Sequence, residues 1–167
     1  MKKQQKGFSL IELLIVVAII LIIAAIAIPN LLRSKMAANE SSAVGSSRTV
    51  NTAEVTYATA YPNTGYSVDI PSLGGVPATC ATVATPAAAC LIDNVLATAT
   101  AAGTSKSGYF FTYVLNGAAG GINTAYTMQA SPANPGTTGQ RFFFTDQTGV
   151  IRYGLSGAAT AASSAIQ

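Results

Sequence analysis

Near its start the chain reads Lys6-Gly7-Phe8-Ser9-Leu10-Ile11-Glu12-Leu13, where a short basic stretch meets a long apolar one. From Phe8 to Ile28 every residue is apolar except Ser9 and Glu12. As an α-helix this segment would be about 32 Å long, which is close to the ~30 Å thickness of the hydrocarbon core of a bilayer. Residues 8–28 are therefore predicted to form a helix that spans a membrane.

Positive charge is concentrated before this segment. Residues 1–7 carry Lys2, Lys3 and Lys6, which together equal the whole formal net charge of +3. Because the basic flank of a membrane helix stays in the cytoplasm, we expect the bulk of the chain to be exported. The other basic side chains are scattered rather than clustered, which argues against nucleic acid as a direct partner. They are Arg33, Lys35, Arg48, Lys106, Arg141 and Arg152.

Pro29 ends the apolar run, but residues 29–61 still favour a helix because no further Pro occurs in them. Proline removes one helical hydrogen bond and clashes with the preceding turn, so we predict one long helix with a kink near Pro29. Its second half is amphipathic, and a seven-residue spacing places four residues on one stripe. They are Met36, Ala43, Val50 and Tyr57. A second stripe is expected to carry Arg33, Glu40 and Glu54.

The helix is predicted to stop at Tyr61-Pro62-Asn63-Thr64-Gly65, which combines a helix-breaking Pro with a turn-forming Gly. Residues 62–107 are rich in Ala, Thr, Gly and Pro. We interpret them as a surface connection with little regular structure beyond one short helical turn within Leu91–Leu96. Aromatic and β-branched runs then predict four strands. They are Tyr109–Leu115, Ala125–Ala130, Gln140–Thr145 and Val150–Tyr153, with a loop at Asn116–Asn123.

Short connections between consecutive strands predict an antiparallel sheet within residues 108–153. A tail at residues 154–167 is expected to be flexible. The apolar face of the sheet needs a cover, and the stripe from Met36 to Tyr57 can supply it. The predicted fold is therefore α+β: a long, kinked N-terminal helix whose C-terminal half packs against a small antiparallel sheet of three to four strands.

Residue types that carry out catalysis are scarce in this chain. It has no His, which removes the commonest general base and the commonest metal ligand. Its two cysteines, Cys80 and Cys90, do not match a zinc-binding spacing. We therefore expect no metal, no cofactor and no enzymatic activity.

Cys80 and Cys90 lie in the exported part of the chain, where disulfides persist. A bridge between them would contribute roughly 2.5–3 kcal/mol in the chain-entropy model. Two unpaired thiols are the alternative.

Glu12 is the unusual residue of the apolar segment. A charged carboxylate costs on the order of 3 kcal/mol at the centre of a membrane helix and less near its end, so its presence indicates a function that requires a partner. Cleavage between Gly7 and Phe8 would leave the apolar segment intact and give Phe8 a free α-amino group, which is normally charged at about pH 7. That amine, from the same chain or from a neighbouring one, is the natural partner of Glu12.

Residues 1 to about 35 closely resemble the N-terminus of the type IV pilins and of the related type II secretion pseudopilins. The resemblance rests on the basic leader, Gly7, the sequence Phe8-Ser9-Leu10-Ile11-Glu12, the apolar run and Pro29. It implies that a membrane-embedded prepilin peptidase cleaves after Gly7 and methylates the amine of Phe8. It also implies that Glu12 pairs with the N-terminus of a neighbour while the helix leaves the bilayer and packs with its copies in a filament core.

The resemblance further implies a location and a set of partners. The precursor would lie in the inner membrane, with its leader in the cytoplasm and its C-terminal domain in the periplasm, and would then move into an extracellular filament. Its partners would be other pilin subunits, the prepilin peptidase and the pilus assembly machinery of the inner membrane. The predicted role is a structural subunit of a type IV pilus that serves adhesion, twitching motility or DNA uptake.

A pseudopilin of a type II protein secretion system is the alternative. The major pseudopilins usually have an Asp-Pro-Trp-Gly-type segment and a nearby calcium site. This chain has no Trp, and the acidic residues of its C-terminal half are Asp93 and Asp146. Both observations favour the pilus.

The position of the cysteines departs from the family pattern. Type IV pilins often carry a disulfide near the C-terminus, whereas Cys80 and Cys90 precede the predicted strands. The family's usual disulfide-bounded adhesive region is therefore not transferred to this chain.

Two simpler explanations compete with this resemblance. One is a cleaved secretory signal peptide, with Ala25-Ile26-Ala27 as its cleavage site, and the other is a plain membrane anchor whose Glu12 reaches toward the surface. Glu12 would be out of place in the apolar region of a signal peptide. Removal of the segment would also leave Pro29 and the continuing helix without a reason.

Overall fold

The computed structural model describes residues 8–81, 83–155 and 157–166. The chain divides into two compact units, one up to Lys35 and one from Met36 onward. One helix, α1 (Leu10–Ala60), contributes residues to both units. The predicted leader, residues 1–7, lies outside the described residues.

The first half of α1 consists almost entirely of Leu, Ile, Val and Ala. Pro29 lies inside α1 and does not end it; the kink at this position stays a prediction. The large apolar side chains of this half are exposed, and their exposed fractions range from 45% for Val17 to 76% for Leu10. Among the described residues, α1 is the one helix whose length and apolar composition would allow it to cross a membrane.

The second half of α1 buries one face within the second unit. Ala43, Val50 and Tyr57 are each at most 1% exposed, and Met36 is half-buried. Ala43, Val50 and Tyr57 belong to one core with Tyr109, Phe111, Met128 and Phe143 of the sheet. The predicted apolar stripe therefore does cover the sheet.

Glu40 and Glu54 lie on the expected second stripe of α1, which borders the apolar stripe and is buried as well. Glu40 and Glu54 fall three or four residues from the apolar positions, and this spacing places them on the same helix face. Glu40 is 7% exposed and Glu54 is 0% exposed. Both carboxylates are accommodated because loop residues supply hydrogen-bond donors to them, as described below.

The sheet is antiparallel and has five strands, in the order β1-β2-β3-β4-β5. The strands are β1 (Tyr109–Ala119), β2 (Ile122–Pro132), β3 (Phe142–Asp146), β4 (Arg152–Gly154) and β5 (Ser164–Ala165). Alternate residues of β1 to β3 face the helix, as the period of two requires. The prediction of an α+β fold with a long helix and an antiparallel sheet is confirmed, with one strand more than expected.

The hairpin of β1 and β2 is longer than predicted. Residues 116–123, expected to be a loop, continue both strands, and Ala118 pairs with Asn123. The turn is reduced to Gly120 and Gly121, whose φ angles are +60° and +85°. Two consecutive positive φ angles are what a tight two-residue hairpin turn needs, and glycine adopts them without strain.

The C-terminal tail contains structure that the sequence did not indicate. Ser164 and Ala165 pair with Tyr153 and Arg152 of β4 and form β5. Ahead of β5, Ala159 is 3% exposed, and its carbonyl oxygen accepts a hydrogen bond from Gln129 Nε2 at 3.3 Å. Small side chains allow this segment to lie close against the strands, although they give it no recognisable pattern.

The connection between helix and sheet forms part of the core, contrary to its interpretation as a surface segment. It contains α2 (Ile70–Leu73), α3 (Pro77–Cys80), α4 (Asn94–Ala97) and a short 3-10 helix (Ala102–Thr104). Ile70, Leu73 and Leu96 are 0% exposed. Asp69 and Asp93 cap α2 and α4 by accepting backbone N–H bonds at 2.9 Å.

Candidate functional site

The N-terminal end of α1 begins with a capping arrangement. Leu10 is the first helical residue, and the backbone N–H of Ser9 donates to Glu12 Oε2 at 2.9 Å. A Ser before the helix with a Glu three residues later is the capping-box pattern, in which the Glu side chain reaches back to the N–H of the capping residue. This role of Ser9 was not among the predictions, although the Ser-x-x-Glu spacing indicates it.

This geometry fixes where the carboxylate of Glu12 lies. The group sits in the first turn, where the partial positive charge of the helix N-terminus stabilises an anion. Phe8 directly precedes Ser9 and is 82% exposed. Phe8 and Glu12 are thus within one turn of each other, whereas Gly7 lies outside the described residues.

The apolar surface that follows Glu12 is the largest exposed feature of the first unit. No charged residue occurs between Glu12 and Arg33. The large apolar side chains of this surface are all at least 45% exposed. They are Leu13, Leu14, Ile15, Val16, Val17, Ile19, Ile20, Leu21, Ile22, Ile23, Ile26, Ile28, Leu31 and Leu32. Water-soluble monomers rarely expose a contiguous apolar surface of this kind, so it marks a membrane or protein contact.

In the second unit, Glu40 of α1 binds the residues just before β3 through hydrogen bonds and an ion pair, and this set of contacts is called the clamp. Its Oε1 accepts the backbone N–H groups of Gln140 at 2.8 Å and Arg141 at 3.2 Å. Its Oε2 pairs with Arg141 Nε at 2.7 Å. Burial raises the pKa of Glu40, but these donors outweigh it, so the pKa lies below its usual value. The guanidinium of Arg141 also lies 5.7 Å from the ring centre of Phe143.

Cys80 and Cys90 form a disulfide with their Cα atoms 5.7 Å apart. The loop that it closes is fixed to α1, because the hydroxyl of Tyr57 donates to the carbonyl oxygen of Pro86 at 2.8 Å. The backbone N–H of Cys90 also donates to the carbonyl oxygen of Gly74 at 3.0 Å. The predicted pairing is confirmed, and the loop is part of the domain's packing.

Acidic side chains of the second unit mostly serve local structure. Asp93 caps α4 and pairs with Lys106 Nζ at 2.8 Å, and Asp146 accepts the backbone N–H of Thr148 in the turn after β3. Within residues 8–81, 83–155 and 157–166, no three His, Cys, Asp or Glu side chains come together as metal ligands would.

A known family model matches the N-terminal end of the chain, which includes most of the exposed apolar half of α1. Residues 2–28 match the family model described as "Prokaryotic N-terminal methylation motif". Over 38 residues the chain is 60% identical to the type IV wide pilus major component PilA4 of Thermus thermophilus. That alignment covers 23% of this chain and 29% of PilA4.

The family model thus concerns the N-terminal region, and no solved structure matches the chain. The domain from Met36 onward is described by its own geometry: a helix half, a disulfide-bonded connection and a five-stranded antiparallel sheet. The methylation motif and the identity to PilA4 thus make part of this chain similar to a type IV pilin.

Proposed function

We propose that this protein is a structural subunit of a type IV pilus and polymerises through the first half of α1 into an extracellular filament. The observation that carries the proposal is the helical surface from Leu13 to Ile28, which is apolar all round and exposed. A helix that is apolar on every side must be surrounded by lipid or by other helices. A membrane-held precursor and a filament core supply these two surroundings in turn.

Glu12 is the residue that favours a filament over a plain anchor. We infer that the prepilin peptidase cleaves after Gly7 and methylates Phe8, and that the new amine of one subunit pairs with Glu12 of a neighbour. The capping arrangement supports this role because it holds the carboxylate at the N-terminal end of the helix, on the backbone N–H of Ser9, the residue that follows Phe8. A lone Glu in lipid is costly, and a charged partner in a filament removes that cost.

The test separates processing from assembly. Glu12→Ala should leave cleavage after Gly7 intact, measured by the mass of the mature protein, and should abolish filaments seen by electron microscopy. Glu12→Asp keeps the charge and is the matched control. Gly7→Leu should leave an uncleaved precursor in the membrane. Normal filaments from Glu12→Ala would show that the charge pair is not needed.

The mature N-terminus provides a direct measurement. A first residue Phe8 carrying one additional methyl group is expected by mass spectrometry. A mature chain that begins at Ile28 would mean that the apolar segment is a secretory signal peptide, and the proposal would fail.

The biological role of the filament can be tested in cells that lack the protein. We expect surface filaments to disappear, together with adhesion, twitching motility or DNA uptake. Intact surface filaments with loss of an exported enzyme would instead assign the chain to a type II secretion pseudopilus.

A further inference from the structure

A buried carboxyl group in the second unit has a role that filament assembly does not use. Glu54, on the buried face of α1, is 0% exposed, and Ser67, in the segment that follows the helix, is also 0% exposed. The backbone N–H of Ser67 donates to Glu54 Oε2 at 3.0 Å. The hydroxyl oxygen of Ser67 lies 2.6 Å from Glu54 Oε1.

The hydrogen atoms available at this site do not suit an ionised Glu54. Ser67 Oγ carries a single hydrogen, yet it lies within bonding distance of two oxygens: Glu54 Oε1 at 2.6 Å and the carbonyl oxygen of Asp69 at 3.0 Å. If Glu54 is ionised, both of these oxygens are acceptors and one contact lacks a hydrogen. If Glu54 carries a proton on Oε1, it donates to Ser67 Oγ, and the Ser67 hydroxyl donates to Asp69. Both short contacts are then satisfied.

The surroundings of Glu54 also disfavour a negative charge. Glu54 interacts electrostatically with Tyr57 of α1, Tyr113 of β1 and Tyr126 of β2, and Asp69 lies two residues beyond its partner Ser67. In the part of the chain that the structure describes, neither ion pair includes Glu54. A buried charge without a cation is costly. Burial raises the pKa of Glu54, and the hydrogen bonds from Ser67 oppose this only in part.

We propose that Glu54 is a neutral carboxylic acid in the folded domain and that its ionisation is a pH-sensitive switch. When the proton leaves, the Ser67 hydroxyl turns to Glu54, and the carbonyl oxygen of Asp69 loses its donor. Asp69 caps α2 through the N–H of Ser72, and Tyr113 donates to the carbonyl oxygen of Ser67 at 3.0 Å. Ionisation therefore loosens the segment that joins α1 to α2 and β1.

The direction of the effect on stability follows from proton binding. The folded state keeps its proton above the ordinary glutamate pKa of about 4.3, at which the unfolded chain releases it. Between that value and the raised pKa of the folded state, folding binds one proton more than unfolding. The folding equilibrium constant should therefore fall by up to about tenfold per pH unit as the pH rises through this window. This inference does not depend on filament assembly.

Infrared spectroscopy of the full chain in detergent micelles tests the proposal. As the pH rises from about 4.3, the ordinary glutamate pKa, we expect the carbonyl stretch of one protonated carboxylic acid to persist after those of the other carboxyl groups have disappeared. Glu54→Gln should remove this band, whereas Glu40→Gln and Glu12→Gln should keep it. No such band in the wild type, or its loss in Glu12→Gln, would overturn the proposal, and neither measurement requires Glu54→Gln to fold.

Stability and hydrogen exchange provide the second readout. Unfolding of the wild type should show the decline in stability with rising pH, and in Glu54→Gln that slope should be absent. Amide exchange at Ser67 and its neighbours should accelerate in the wild type over the same window, beyond the intrinsic increase measured at Phe143. Equal slopes in both proteins would show that another group titrates.

Discussion

The two halves of α1 belong to one helix, yet they place their apolar side chains in opposite surroundings. In the first half, Leu10, Leu21 and Ile26 are all more than 60% exposed. In the second half, Val50 and Tyr57 are at most 1% exposed. The first half is thus helical without burial in its own subunit, and its stable surroundings must come from outside the chain. The second half is stabilised by its own domain.

Polar residues differ between the halves in the same way. The first half carries Glu12 at its start and no further charge before Arg33. The second half carries exposed threonines whose hydroxyls donate to the carbonyl four residues earlier, at 2.8–3.1 Å. They are Thr49, Thr52, Thr56 and Thr59. Their hydroxyl donors are therefore satisfied within the helix.

The largest expected effect separates the two halves by stability. Tyr57→Ala removes a buried ring and its hydrogen bond to Pro86, and should lower the free energy of unfolding by about 4 kcal/mol. The measurement is chemical unfolding of the full chain in detergent, followed by tyrosine circular dichroism. Leu21→Ala, at a side chain 63% exposed, is the matched control and should leave the unfolding free energy unchanged. A large loss in Leu21→Ala would show that the first half is coupled to the domain's fold.

The structure of the first half of α1 is easier to predict from sequence than that of the second unit, because the two regions have different sequence patterns. A continuous apolar run with one Glu needs no tertiary information, and Phe8 and Glu12 were found from it. The burial of Ile70, Leu73 and Leu96 was missed because they stand singly among Ala, Thr and Gly. The burial of Glu54 is not predicted by the helix pattern, because its partner Ser67 lies on a different element. Strand β5 consists of two small residues, which have no recognisable periodicity.

The second largest loss of stability is expected from the disulfide in the connection between α1 and β1. Replacing both cysteines, in Cys80→Ser with Cys90→Ser, removes a cross-link between residues ten apart in sequence. The domain should lose about 2.5 to 3 kcal/mol of stability, because the unfolded chain gains freedom. Unfolding with and without a reductant measures the loss: the wild type should become as unstable as the variant when reduced, and the variant should not respond. An unchanged wild type under complete reduction would contradict this expectation.

A smaller effect is expected at the clamp between α1 and β3. Glu40→Gln removes the charge that pairs with Arg141 but keeps an oxygen for the two backbone N–H groups. Because the Arg141 side chain is 40% exposed, solvent screens the pair, and the loss should be about 1 kcal/mol. Arg141→Met should cost at least as much, since it also removes the contact with Phe143.

The same carboxyl group sets a pH dependence opposite in sign to that of Glu54. The pKa of Glu40 is lowered in the folded state, so its contribution is complete above the ordinary value of about 4.3 and is lost as the pH falls through the lowered pKa. Unfolding free energies measured from neutral to acid pH should therefore decline at the acid end. Glu40→Gln should flatten that decline without altering the slope assigned to Glu54. A decline that persists in Glu40→Gln would point to another acidic group.

The smallest expected change in stability comes from Gly45, and it tests whether a residue that limits helix stability is needed for filament assembly. Gly45 lies on the exposed side of α1, and a Cβ added there would meet nothing within 4 Å. Gly45→Ala should therefore raise the unfolding free energy by about 0.5–1 kcal/mol, because alanine favours helix. Gly139→Ala is the opposing control, since its Cβ would clash with the ring and hydroxyl of Tyr109 and should destabilise the domain. If Gly45→Ala gives a more stable subunit but fewer filaments by electron microscopy, the exposed side of the second half of α1 is itself an assembly surface. The two halves of α1 would then differ in how they are stabilised in the folded subunit, but both would take part in filament assembly.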